Sequence, residues 1–247
     1  TDNQPYFSQF LQWKSIPQMI ELFGADAVPF FEIGYLLLYI TLVQTVLLAI
    51  ILIILPLFKL GWGGRSKAWS IIYFSGLGLG YMFIEIIFIQ RYTLYFGNVV
   101  YATAAVVSLM LIASGVGSYI SQRYNAIHKN LVVVISLVIL LLIFHLILLS
   151  PLLKLTIGFS TIIKIFLSAL LIIPAAFLMG FPFPLGLRLV SQTNAAHVPW
   201  AWGINGSVSV ISAVLATIIA VELGFVWVMI FAASAYSLSL IVNIKKS

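Results

Sequence analysis

One acid in this chain lies where acids are expensive. Glu85 falls in the second half of Trp69–Arg91, WSIIYFSGLGLGYMFIEIIFIQR, an apolar stretch long enough to cross a bilayer as one helix. A charged side chain at mid-helix costs roughly 2.5–3.5 kcal/mol on the insertion scale, and about twenty apolar neighbours return about 6–12 kcal/mol, so the helix inserts regardless. An intramembrane acid is by default a functional-site hypothesis, with a partner to be named. Left without a partner it becomes neutral, because desolvation disfavours the charged form. Arg188, Asn205 and backbone groups freed by prolines in a later span are the candidate partners. Arg91 is six positions along the same helix and lies on another face. By charge complementarity a lone Glu suits an amine better than an anion. The plainer alternative is a neutral or hydrogen-bonded Glu85 that only locks helices together.

A second constellation runs from Met179 to Ser209, MGFPFPLGLRLVSQTNAAHVPWAWGINGSVS. Pro182, Pro184 and Gly186 break one helix, and Pro199 with Trp200 and Trp202 starts the next. Asn205, Ser209, Ala213 and Thr217 then follow at i+4 spacing. Such a strip is either a helix–helix contact face or the wall of a polar cavity, since broken helices line substrate sites in transporters. Glu85, Asn205, Arg188 and Trp202 are therefore grouped as candidate substrate-binding residues, although Trp200 and Trp202 also suit interface anchors. Gly76, Gly80, Gly115 and Ser209 are assigned to helix packing, because small residues let backbones approach closely in lipid.

Other signals are weaker. Gly76, Gly78 and Gly80 echo a dinucleotide-binding loop, but no strand precedes them. Asn205-Gly206-Ser207 matches a glycosylation sequon inside an expected span. Lys164 sits near a span end, where it can snorkel. His128, His145 and His197 have no metal-ligand spacing, and His145 reads as a hydrogen-bonded span residue. No metal site, catalytic set or cofactor site is expected within this chain.

The elements that must position these residues are membrane helices. Of 247 residues, 63% are hydrophobic and 7% charged, and mean hydropathy is +1.18. A soluble domain carries roughly 25% charged residues, so this composition builds no water-facing surface. The absence of cysteine removes disulfides and thiol chemistry. The net charge of +6 does not point to nucleic acid, because the bases gather at span ends.

Residues 1–32 form a linker with a short interfacial helix, started by Ser15, Ile16 and Pro17 and stopped at Gly24. They hold four of the six acids, and the start at Thr1 without methionine suggests an upstream domain. Residues 33–247 form an all-α integral membrane domain of about seven transmembrane helices. The expected spans are 33–58, 69–91, 98–120, 131–149, 157–181, 200–223 and 225–244. Lys59, Arg65, Lys67, Arg123, Lys129, Arg188, Lys245 and Lys246 fall at one set of ends, and Lys14, Arg91, Lys154 and Lys164 at the other. That excess places the first set, and the C-terminus, in the cytoplasm.

Thr1–Phe7 (TDNQPYF), FIEIIFIQR at Phe83–Arg91, SGVGS at Ser114–Ser118, MGFPFPLGLRL and VPWAWGING together resemble one group. It is the bacterial multispanning proteins that join a spermidine synthase-like (SAM-dependent methyltransferase-like) domain to membrane helices. The resemblance covers nearly the whole chain. It implies an upstream synthase-like domain, residence in the bacterial inner membrane, and a polyamine-like cationic substrate. Asn3 stands where an acid is expected. A fainter likeness is to major facilitator transporters: Gly115–Lys129, GVGSYISQRYNAIHK, resembles their loop between helices two and three. The last six spans would then form a six-helix half, although Ser121 and Gln122 stand where that loop carries its Asp. Three functions stay open: a membrane anchor that binds or passes a small cation, half of a facilitator-type transporter, and a purely structural subunit. The partners implied are the lipid bilayer, the upstream domain, the cationic substrate and, as a further option, a homo-oligomer.

Overall fold

The computed structural model describes residues 33–59, 67–124 and 127–246, together with residues 17, 18 and 21. Of the expected interfacial helix, only Pro17, Gln18 and Glu21 are described, and they are helical and exposed; its bounds at Ser15 and Gly24 lie outside the described residues. No strand occurs among the described residues. The helices are α1 (Ile33–Ala49), α2 (Leu55–Phe58), α3 (Lys67–Phe96), α4 (Val99–Ser121) and α5 (Ile127–Leu155). They continue with α6 (Thr161–Met179), α7 (Pro182–Thr193), α8 (Val198–Glu222) and α9 (Phe225–Lys246). Seven stretches among the described residues are long and apolar enough to cross a membrane. This is an all-α, multi-pass membrane architecture.

The helix ends depart from the sequence expectations in ways that local chemistry explains. A π-helical turn, Ile50–Ile54, joins α1 to α2 without a break, so Pro56 lies inside a continuous helical span, where its missing N–H frees a carbonyl one turn back. The helix α5 runs through Pro151 instead of stopping there, as membrane helices tolerate when the freed carbonyl is satisfied elsewhere. The expected connection after Arg188 is largely helical. After a break at Gly180 and Phe181, Pro182 and Pro184 open α7, which continues to Thr193. Gly97 and Gly224 take φ of 70° and 94°, values that only glycine adopts freely, so α3 and α8 turn sharply into the helices that follow. Asn98 caps α4, its Oδ1 accepting from the N–H groups of Val100 (2.9 Å) and Tyr101 (3.1 Å).

The helix α3 is the axis of the bundle. It packs along α4, α8 and α9 and touches α6 and α7. Around it α8 meets α9, α9 meets α5, α5 meets α6, and α6 meets α4. Between α4 and α8 the described residues show no appreciable packing, so the ring is open there. At one end α7 touches both. Among the described residues the segment α1–α2 stands outside the ring and packs on α8, with Leu57 and Ile53 on Gly203 and Phe58 edge-on to Trp200.

Alternating glycines make α3 fit this position. Gly76 and Gly80 share a face, and Gly78 points the other way. A Cβ on Gly76 would lie 2.7 Å from the Ala235 carbonyl oxygen, and one on Gly80 would lie 2.6 Å from the Tyr236 ring. Both positions press on α9, where Ser239 donates to the Tyr73 carbonyl (3.1 Å). A Cβ on Gly78 would lie 2.7 Å from the Asn205 carbonyl oxygen and 2.9 Å from Ser209 Oγ, both on α8. Below these seams Tyr73, Phe74, Phe83, Phe88 and Tyr92 are fully buried.

Candidate functional site

Glu85 follows Gly78 by two helical turns and Tyr81 by one, so the three lie on one face of α3. Gly78 rests on α8. The Tyr81 hydroxyl lies 3.3 Å from Ser114 Oγ on α4. The face that carries Glu85 therefore looks into the opening between α4 and α8. Its side chain is half-buried, and no hydrogen bond or ion pair reaches it among the described residues.

The other residues grouped with Glu85 from sequence lie elsewhere. Asn205 Nδ2 donates to the Phe74 carbonyl (3.1 Å). Phe74 precedes Glu85 by eleven residues, about 16 Å along the helix at 1.5 Å per residue. Trp202 is 58% exposed and meets Phe183 edge-on (4.8 Å between centroids), and Phe183 meets Phe74 in turn (5.6 Å). Arg188 Nη1 donates to the carbonyls of Ser121 (3.4 Å), Gln122 (3.5 Å) and Tyr124 (3.0 Å), closing the C-terminus of α4. The chain at Ser121 lies about 10 Å beyond Ser114, on the side away from Glu85. The expected four-residue site is thus corrected: Asn205, Trp202 and Arg188 gather at the α7 end, and Glu85 stands apart from them. Register is the cause. The helices α3 and α8 run parallel, with Phe74 at Asn205 and Gly78 at Ser209, which leaves Ala216 level with Glu85.

One packing assignment also moves. Gly115 is exposed, with nothing within 4 Å of its Cβ position. The close approach of α4 to α6 is made at Gly117, against the Phe177 backbone, and at Ser114, whose Cα lies 2.8 Å from the Cβ position of Gly180. Ser209 faces α3 at Gly78. Trp200 is buried instead of serving as an exposed anchor. Lys164 does not snorkel outward: its Nζ donates to the Tyr95 carbonyl (3.1 Å) and sits over the Tyr95 ring (5.0 Å). His145 joins α5 to α6, with Nδ1 2.7 Å from the Leu141 carbonyl and Nε2 3.1 Å from that of Leu171.

Two hydroxyls missed in the sequence belong with Glu85, and a third lies level with them. Tyr81 lies four residues before it, and Ser114 meets Tyr81 from α4. Ser212, two turns beyond Asn205, is fully buried and has no hydrogen-bond partner. The parallel register of α3 and α8 sets it level with Tyr81. The i−4 spacing of Tyr81 and the i+7 spacing of Ser212 were visible in the sequence, but which helix each faced was not. Glu85, Tyr81 and Ser114 make a polar patch, one carboxyl and two hydroxyls, at the edge of an apolar bundle, whereas Ser212 is enclosed within it. No group of three His, Cys, Asp or Glu side chains suited to a metal ion occurs among the described residues. No protein-family model, curated protein or solved structure matches the chain.

Proposed function

We propose that this chain is the membrane domain of a spermidine synthase-like protein, and that it binds a small amphipathic cation at Glu85 from the opening between α4 and α8. The supporting observation is that the Glu85 carboxyl is half-buried in a spanning helix and has no protein partner among the described residues. A carboxylate at that depth calls for a positive partner, and protonated amines supply both charge and hydrogen-bond donors. Tyr81 and Ser114 offer hydroxyls for the rest of the ligand. An apolar or methylene-rich ligand body fits the surrounding helix faces, which makes a polyamine-like molecule the substrate class. The excess of basic residues at the Lys59, Arg123 and Arg188 ends supports a cytoplasmic location for that side and for the C-terminus, and the resemblance supports residence in a bacterial inner membrane.

The test is Glu85→Gln in membrane discs, with binding of labelled spermidine to the purified chain measured at fixed ionic strength. Loss of saturable binding with unchanged thermal stability is the expected result. Equal binding by both proteins removes the site. A purely structural role for the bundle is a second reading, favoured by the glycine contacts of α3 with α8 and α9. Under that reading Glu85→Gln alters stability and no binding is seen in either protein. A facilitator-type transporter half is distinguished by flux of the same amine into liposomes, which an anchor does not support.

A further inference from the structure

The segment α1–α2 is the least buried of the seven spans, at 6% of its most apolar window, and it carries a polar side chain inside the membrane. Gln44 lies eight residues from Leu36 and fourteen from Phe58, about 12 Å and 21 Å along the helix. Both distances put it within a hydrocarbon core about 30 Å thick. Its side chain is exposed. The neighbouring Thr45 hydroxyl donates to its own helix at the Leu42 carbonyl (2.9 Å), whereas the Gln44 carboxamide makes no hydrogen bond among the described residues. A carboxamide facing acyl chains leaves two donors and an acceptor unsatisfied, at a cost of several kcal/mol.

The residues around it carry a second regularity. Leu37, Ile40, Gln44 and Leu47 follow at spacings of three, four and three, the seam of a left-handed helix pair, and Ile51 carries the line into the π-helical turn. The four apolar members are 57%, 61%, 52% and 53% exposed. The face turned to α8 is a different one, marked by buried Ala49 and Leu57.

We propose that α1 is a homodimerisation helix. It packs in parallel against α1 of a second copy along Leu37, Ile40, Gln44, Leu47 and Ile51, and the two Gln44 carboxamides exchange hydrogen bonds across the two-fold axis. A second copy is the occupant that complements this side chain best. Two chains inserted the same way present their α1 helices in parallel, with Gln44 at one depth. A carboxamide is donor and acceptor together, so it is complementary to itself. A single polar residue in such a seam fixes register and oligomer state. The proposal does not rest on the Glu85 reading, and its failure leaves that reading untouched.

The chain has no cysteine, so single substitutions report without background. Leu37→Cys, Ile40→Cys, Leu47→Cys and Ile51→Cys lie on the seam. Val43→Cys and Leu52→Cys are controls, exposed to 59% and 66% and set on the two flanks of the seam instead of on it. Mild oxidation of the full chain in native membranes is expected to give disulfide-linked dimers at the four seam positions and few at the controls. Gln44→Leu is expected to weaken the dimer about threefold to thirtyfold in detergent, the range for an interhelical hydrogen bond in a bilayer protein, with the melting temperature of the monomer unchanged. Equal cross-linking at all six positions, strongest cross-linking at Val43→Cys or Leu52→Cys, or no product of twice the mass would each overturn the proposal.

Discussion

Replacing Gly76 by alanine adds one methyl group where α3 meets α9. The new Cβ would stand 2.7 Å from the Ala235 carbonyl oxygen and closer still to Ser239 Oγ. Ordinary contact begins near 3.4 Å, so α9 must withdraw by about 0.7 Å or Ser239 must rotate away. Rotation breaks the Ser239 bond to the Tyr73 carbonyl. Overpacking costs about 1–3 kcal/mol, and an interhelical hydrogen bond in a membrane protein about 0.6–2 kcal/mol. The better helix propensity of alanine offsets up to about 1 kcal/mol, leaving a net loss near 2 kcal/mol. For a chain of this size that lowers Tm by roughly 4–8 °C. Gly115→Ala is the matched control, since nothing lies within 4 Å of its Cβ position. It gains propensity without a clash and should leave Tm level or slightly raised. Intrinsic fluorescence melts in one detergent, read from the six tryptophans, compare the two variants. Equal shifts, or a larger loss from Gly115→Ala, would refute the view that glycines seat α3 by close approach.

The remaining expectations concern stability and orientation. His145→Leu removes the polar link between α5 and the Leu171 carbonyl of α6 and is expected to cost about 1–2 kcal/mol; a melt indistinguishable from wild type would show that the link carries no stability. Amine labelling of Lys246 is expected only from the cytoplasmic face of inverted vesicles, and labelling from the periplasmic face would reverse the assigned orientation. The two tests given with the proposals, amine binding to Glu85→Gln and cross-linking along α1, complete the set.

Much of this architecture could be read from patterns that act locally. Seven apolar runs announce seven spans because each must satisfy its own backbone in lipid. The i+4 pair Gly76 and Gly80 announces a contact face, and Gly78, two residues on, announces its opposite. Helix ends were less legible, because proline at Pro182 and Pro184 opens a helix and at Pro151 fails to stop one. The sequence does not say which event occurs, since that depends on whether another group accepts the exposed carbonyls. The candidate site was half legible. Glu85 is conspicuous by its cost, whereas Tyr81, one turn before it, went unread because spacing alone does not say which helix a side chain meets. Asn205 was misassigned because nothing in a linear chain fixes the sliding register of α8 on α3, and a shift of three turns separates neighbouring from remote. Arg188 was misread for the same reason: its carbonyl partners at Ser121, Gln122 and Tyr124 belong to a helix end more than sixty residues earlier.

The bonds that seat the axial helix join residues far apart in the chain: Asn205 to Phe74 across 131 positions, and Ser239 to Tyr73 across 166. At about 5–20 residues per second, a ribosome needs roughly 8–33 s after making Tyr73 to deliver Ser239. Until Asn205 follows, roughly 7–26 s after Phe74 at the same rate, the newborn α3 has neither of its late-arriving neighbours, and its notched flanks meet insertion machinery or lipid tails. Biogenesis of this protein thus includes a waiting period, in which the first-made half of the seam is kept available for the last-made half.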